Sequence, residues 1–564
     1  MNSKYTLGLD YGTSSVRAII VDVSDGHTVG EGVFAYRNGV DGVIVDRDNH
    51  HLARQDPDDY IEGFIDATLT ALKHAGGEAG FSPEKIIGIG VDTTGSSPMP
   101  VLRNNTPLSR VSGFEDDKDA LVWLWKDHTG HFEAQEITRI GREMRPQYLD
   151  KIGNTYSSEW FWAKIWHCFR VNPKVYDAAF TWVEICDWIP AVMAGVNDAL
   201  QIRRGITAAG HKAMYNPGWG GYPDEEFISR LDQKLLKLRR SLPDKAYELD
   251  KIAGYLNKDL AEKVGLTTGI PIAVGSFDAH FGGIGSGIEP GTLVKNIGTS
   301  CCDIMVAPME EELADIPGLC GIVPGSVLPG YYGLEAGQSA IGDIHGWFAG
   351  LIAGGRDRRE VFRQLEEEAA ALRPGESGLI ALDWMNGNRT VLVDQRLTGL
   401  FVGLTLHTSA AEMYKALLEA TAFGARIIAE RFQSYGVEVK RVINCGGIPY
   451  KSPHIMQIYA DVFNQKMELS RSNQTASLGS AIAGAVVAGP EAGGYADYKE
   501  AISSMTGVLD TAYVPIRENV PVYEELFSIY RELHDAFGVE NQSADLYPVM
   551  KRLLEIRERV KGAE

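Results

Sequence analysis

Two short stretches with the same order of parts restrict this chain more than anything else in it. In "LGLDYGTSSVRAIIVD" (7–22) an apolar run reaches Asp10, turns through Gly12-Thr13-Ser14-Ser15 and resumes at Val16. In "LVKNIGTSCCDIMVA" (293–307) a strand, Gly-Thr-Ser and a second strand follow in the same order. The match is short, so it suggests a repeated architecture rather than a repeated sequence. A tight hairpin of this kind offers N–H groups and hydroxyls at its tip, which suits a phosphate chain. Asp10 adds a carboxylate where Mg²⁺ or its water shell can sit. Taken singly, each is an ordinary turn; the pair is what points to a ligand. Neither is a Walker A loop, and no G-x-G-x-x-G opens a helix here.

At 564 residues the chain exceeds one ordinary hydrophobic core, so two large domains are expected. A net charge of −21 argues against a nucleic-acid surface or an anionic membrane as partner. Small anions remain possible ligands, because backbone N–H groups, helix ends and a metal bind them without net positive charge. No signal-peptide pattern opens the chain and no apolar run nears the length of a membrane span, so a soluble, cytoplasmic protein is expected. Six cysteines without CxxC spacing predict free thiols rather than disulfides or a zinc site.

Strand-like "YTLGLDYG" and "VRAIIVDV", the helical repeat "PDDYIEGFIDATLTALKHA" and strand-like "KIIGIGVDTTG" give the order of an α/β layer fold. About 128–250 reads as a helical elaboration whose tryptophans belong to a core. Glycines crowd into 269–292, which places a domain junction near 280–290 and divides the chain into 1–284 and 285–564, with terminal helices from about 521. In "RVINCGGIPYKSPHIMQIYADVF" (441–463) a strand ends in Gly446-Gly447 and a helix starts near Ser452-Pro453. Paired glycines there either let a flat ring such as adenine lie on the backbone or simply make a strand-to-helix turn.

The two hairpins, "GSFDAHFGG" (275–283) and "GGIPYKSPHIMQIYADVF" (446–463) together resemble the FGGY carbohydrate kinases, within the hexokinase, heat-shock ATPase and actin superfamily. The resemblance runs from about residue 4 to about residue 530. "GIGVDTTGSSPMPV" (88–101) and "LVWLWKDHTGHFEAQEITR" (121–139) resemble the ribulokinase branch of that family. It implies two actin-like (ribonuclease H-like) α/β domains around a catalytic cleft, with Mg·ATP mostly on the second and the sugar mostly on the first. The implied reaction is phosphorylation of the terminal hydroxyl of L-ribulose in arabinose catabolism, and a homodimer is the expected assembly.

Carried over residue by residue, the resemblance makes Asp278 the base toward the sugar hydroxyl and, with Asp10, a metal contact. Phosphoryl transfer rests mainly on positioning and charge stabilisation, so one carboxylate within reach suffices. Thr13, Ser14, Ser15 and Arg17 with Gly298 and Thr299 become ATP contacts, and Gly342, Gly446, Gly447 and Lys451 take the nucleoside end. Gly95, Ser96, Trp125, Asp127, Lys212 and Glu335 become sugar contacts. One departure is Cys301, where the family's loops often carry a further hydroxyl, which removes a donor to phosphate. A kinase for another ketose or polyol (D-ribulose, ribitol, xylulose) stays open, as does an ATP-driven switch or chaperone on the same fold.

Overall fold

The computed structural model describes residues 3–310 and 313–562. Its frame is two mixed sheets. Tyr5–Tyr11 (β1), Ser15–Asp22 (β2), Thr28–Ala35 (β3), Ile86–Thr93 (β4), Ile252–Tyr255 (β5), Pro271–Ala273 (β6) and Ser276–Phe277 (β7) form the first, in the spatial order β5-β6-β4-β1-β2-β3 with β7 beside β4. Thr292–Ile297 (β8), Cys301–Pro308 (β9), Gly321–Pro324 (β10), Tyr331–Gln338 (β11), Arg441–Cys445 (β12), Met467–Ser470 (β13) and Val508–Tyr513 (β14) form the second, in the order β10-β11-β9-β8-β12-β13-β14. Each sheet has three antiparallel strands, extended in the second sheet by β10 at the outer edge, then two strands added in parallel, then an antiparallel strand outside them. The repeat suggested by the Gly-Thr-Ser stretches is therefore a repeat of topology.

The elements follow from the sequence. The central strands β1 and β4 read as near-continuous apolar runs because both of their faces are covered. Pro57–Ala75 (α1) begins at Asp56, whose side chain accepts from the Asp58 N–H, and its Tyr60, Phe64, Ala67 and Ala71 recur at helical spacing. That face covers β2 and β3, and Phe64→Ala there would cost about 3–5 kcal/mol. The elaboration over 128–250 packs its helices around Trp162, Trp166 and Trp182, all buried, as core tryptophans. Val520–Gly538 and Val549–Gly562 bury Phe527, Tyr530, Leu553 and Ile556 in the core of the second sheet.

Two helices tie the sheets together. Asp278–Gly285 (call it α3, with Ile206–Ala213 as α2) leaves the first sheet and packs on β8 and β9 of the second. Thr475–Ala492 (α6, after Gly342–Ala353 as α4 and Pro453–Phe463 as α5) belongs to the second half of the chain but packs on β1 and β4 of the first sheet. The two cross closely. A Cβ on Gly479 would lie 1.9 Å from the Phe281 carbonyl, and one on Gly285 2.0 Å from that of Thr475. All six cysteines are free, and no helix among the described residues is long and apolar enough to cross a membrane.

Candidate active site

The two turns have nearly the same construction. In the first, the Gly12 N–H donates to the Ser15 carbonyl at 3.0 Å; in the second, the Gly298 N–H donates to the Ser300 carbonyl at 2.9 Å. Thr13 from one tip and Gly298, Thr299 and Ser300 from the other line a single cavity of about 230 Å³ between the domains. Asp278, the first residue of α3, lines it as well, with Gly95, Trp125, Lys212 and Glu335. Gly95 is a glycine because a Cβ there would run into the Phe277 ring at 1.9 Å.

Three carboxylates converge below the first turn. Parallel pairing of β1 and β4 sets Asp10 beside Asp92. Asp92 is wholly buried; its Oδ2 accepts from Ser480 Oγ at 2.6 Å, while Oδ1 has no partner. Burial and the Asp10 charge push Asp92 well up, and burial pushes Asp10 up against the pull of Arg17. Burial, then the Asp10 charge, pushes Asp278 up to about 7. Carboxylates buried this near one another call for a shared proton or a hard cation, and oxygen ligands are the kind Mg²⁺ takes.

Farther along the cavity wall, Lys212 of α2 donates to both oxygens of Glu335 in β11, at 2.9 and 3.1 Å, so an ion pair joins the two domains there. Burial opposes the Glu335 charge, but Lys212, His211 and His280 outweigh it and hold the carboxyl far below its usual range. His211, His280 and Glu335 bring three donor atoms within 4.8 Å of one another. The Lys212 ammonium already spans that carboxylate, however, and a cation there would meet its charge, so the cluster is built for hydrogen bonding.

Two expected sugar contacts are used otherwise. Asp127 does not line the cavity: Oδ1 accepts from the Thr129 N–H and hydroxyl, Oδ2 from the Ala53 N–H and Arg54, and it is wholly buried. It shapes the loop that carries Trp125, whose indole N–H donates to Thr13 Oγ1 at 3.1 Å. The Ser96 hydroxyl turns away to Glu184. Lys164, buried within the aromatic run 160–169, donates to the Ser96 and Leu124 carbonyls at 2.8 and 2.7 Å and so braces the loops that carry Gly95 and Trp125.

Around the second turn, Gly342 donates to the Gly298 carbonyl at 3.1 Å, and Ile341 to that of Thr299 at 2.8 Å, so the start of α4 grips the turn. Gly446 has φ 89° and sits where a Cβ would be 2.5 Å from the Ile297 carbonyl. Gly447 is exposed and faces open space. Ser452 caps α5, its side chain accepting from the Ile455 N–H. Ser14, Arg17 and Lys451 are exposed and Ser15 half-buried; none of the four lines the cavity. The Cys301 thiol is wholly buried and donates to Asp303 at 3.2 Å, away from the tip, while Cys302 lines the cavity. Sequence reasoning passed over three residues here: Asp92, His280 and Arg389, the last paired with Glu159 at 3.5 Å across the domains. Only Asp92, at the end of an apolar strand like Asp10, carried a signal.

Residues 5–285 match the FGGY family of carbohydrate kinases, N-terminal domain, and residues 293–488 match its C-terminal domain. The chain belongs to that family. It is 40% identical over 572 residues to the ribulokinase of Halalkalibacterium halodurans, covering 99% of each chain, and 40% identical over 577 residues to that of Geobacillus thermodenitrificans, covering 100% of this chain and 99% of the other. In fold it is similar to the xylulose kinase from Rhodospirillum rubrum, with a TM-score of 0.74 at 20% identity over 97% of this chain and 100% of that one. As an FGGY carbohydrate kinase it is a phosphotransferase, and the switch or chaperone alternative falls away.

Proposed function

We propose that the protein transfers the γ-phosphoryl group of ATP to the terminal hydroxyl of L-ribulose, giving L-ribulose 5-phosphate and ADP. The observation that carries this reading is the meeting of both Gly-Thr-Ser turns and Asp278 in one cavity, in a chain similar to ribulokinases from end to end.

Asp278 receives the proton of the attacking hydroxyl, a role for which a carboxyl near pH 7 is well matched. The second turn supplies N–H and hydroxyl donors to the phosphates, and open space above Gly447 admits the adenine ring. Lys212 and Glu335 orient the open-chain sugar, and since one comes from each domain, sugar binding favours the closed cleft and excludes water as a competing acceptor. Asp10 and Asp278, with Asp92 behind them, would hold Mg²⁺. When bound, the ion offsets charge on the β- and γ-phosphates.

A panel of pentuloses, pentitols and L-arabinose at fixed Mg·ATP, read by coupled ADP release, tests the reading. L-Ribulose is expected to give the highest kcat/KM, with D-ribulose and ribitol slower and L-arabinose, mostly a closed ring, unreactive. L-Arabinose turned over as fast as L-ribulose would overturn it.

A further inference from the structure

His280 lines the cavity from α3, two residues beyond Asp278, and is 1% exposed. Neither of its ring nitrogens has a hydrogen-bond partner, a state that buried polar groups rarely keep. The ring is held by edge contacts to His211 and Phe277, with centroids 4.7 and 5.8 Å away. Its Nε2 stands 3.8 Å from Glu335 Oε2. That is too far for a direct bond and the right span for a bridge, since one oxygen can sit about 2.8 Å from both atoms.

Glu335 cannot close this gap itself. Lys212 holds both of its oxygens, and His211 Nδ1 approaches Oε2 at 3.4 Å. An imidazole with one proton has one N–H donor and one acceptor nitrogen. A sugar hydroxyl likewise donates once and accepts, and so matches both sides of the gap. Two residues along a helix rotate side chains roughly 200° apart, so the hydroxyl met by His280 is not the one met by Asp278.

We infer that His280 and Glu335 together hold one non-reacting hydroxyl of the sugar, which makes His280 a specificity-determining residue. This rests on the reading of the cavity as the sugar site and deepens it. The imidazole donates its N–H to that hydroxyl's oxygen, while the Glu335 carboxylate accepts the hydroxyl's O–H. A sugar lacking the hydroxyl leaves the His280 imidazole unmet in a buried wall.

The test crosses His280 variants with monodeoxy analogues of the sugar that the wild type uses best, L-ribulose being the expected one. His280→Leu should raise the sugar KM roughly tenfold or more while the ATP KM stays within about twofold. His280→Gln, which keeps a donor and an acceptor, should recover most of the loss. The wild type should reject one deoxy analogue roughly tenfold more than the others, and His280→Leu should treat that analogue and its parent sugar alike. An unchanged sugar KM in His280→Leu, or an equal penalty on every analogue in wild type and variant, would overturn the assignment. If His280→Leu does not fold, Gln and Asn variants carry the same cycle. A wild type that prefers another pentulose would sink the L-ribulose reading alone, because the cycle then runs on that sugar and still decides the role of His280.

Discussion

Aligned on their Gly-Thr-Ser turns, the β1–β2 hairpin carries Asp10 and Arg17 where the β8–β9 hairpin carries Asn296 and Asp303. Their registers differ by one residue. Tyr11 pairs with Val16 across the first turn, but Ile297 pairs with Cys301 across the second, so Asp303 faces Lys295 rather than Asn296. Lys295 and Asp303 then neutralise each other at 2.6 Å, both fully buried. The second hairpin therefore turns its charges inward and shows the cavity an amide, N–H groups and hydroxyls. The first leaves Asp10 beside Asp92, with Asp278 close enough for its pKa to feel the Asp10 charge. One backbone device thus yields two half-sites: neutral donors for a polyanion on one side, and a carboxylate group that needs a cation or a proton on the other.

The group that both hairpins serve gives the largest expected effect. Asp278→Asn should lower kcat by roughly 10²–10⁴-fold and leave the ATP KM within a few-fold. Near-normal turnover in a folded variant would remove Asp278 from the chemistry. Next come exchanges that make the hairpins alike. Asp10→Asn should lower kcat on the order of 10²-fold and raise the Mg²⁺ concentration needed for half-maximal rate. Asn296→Asp should instead raise the ATP KM roughly tenfold, since it sets a carboxylate against phosphate. Equal effects of the two on ATP would erase the distinction between the half-sites.

Smaller still is the removal of one hydroxyl. Thr299→Val should weaken nucleotide binding by roughly 3–10-fold in calorimetry, and Thr13→Val by less, because Thr13 Oγ1 already accepts from Trp125. The last expectation concerns pH. Below about 7 the Asp278 carboxyl is protonated and cannot accept a proton, so kcat/KM for the sugar should fall roughly tenfold per pH unit on the acid side. Asp10→Asn removes a charge that raises Asp278, so the acid limb should move to lower pH. A limb unmoved by that change would mean that burial alone sets it.

Local order was legible in the sequence, and long-range placement was not. Both hairpins, α1 with its Asp56 cap and α5 with its Ser452 cap could be read because turn and cap residues act on neighbours in the chain. Asp92 joins Asp10 only through parallel pairing of strands some 80 residues apart, which no local pattern announces. The segments of Asp127 and Ser96 do run beside the cavity; whether a side chain faces it or its supports depends on Arg54 and Glu184, distant in sequence. Lys164 hides in an aromatic run and matters through carbonyls 68 and 40 residues away. Arg389 lies in an irregular segment, and only the approach of Glu159 from the other domain gives it a place.

The crossing of α3 and α6 has a consequence for how the molecule comes into being. A nascent chain that has emerged as far as Gly285 has every strand of the first sheet, yet β1 and β4 still lack the helix that covers one of their faces. That helix ends at Ala492, so at about 5–20 residues per second the face stays bare for roughly 10–40 s of synthesis. Ile19, Val21 and Ala273 meet Leu478, Ile482 and Ala485 only then. The first domain is thus finished by the end of the second, and cutting the gene at the domain junction would give two pieces that must find each other before either is whole.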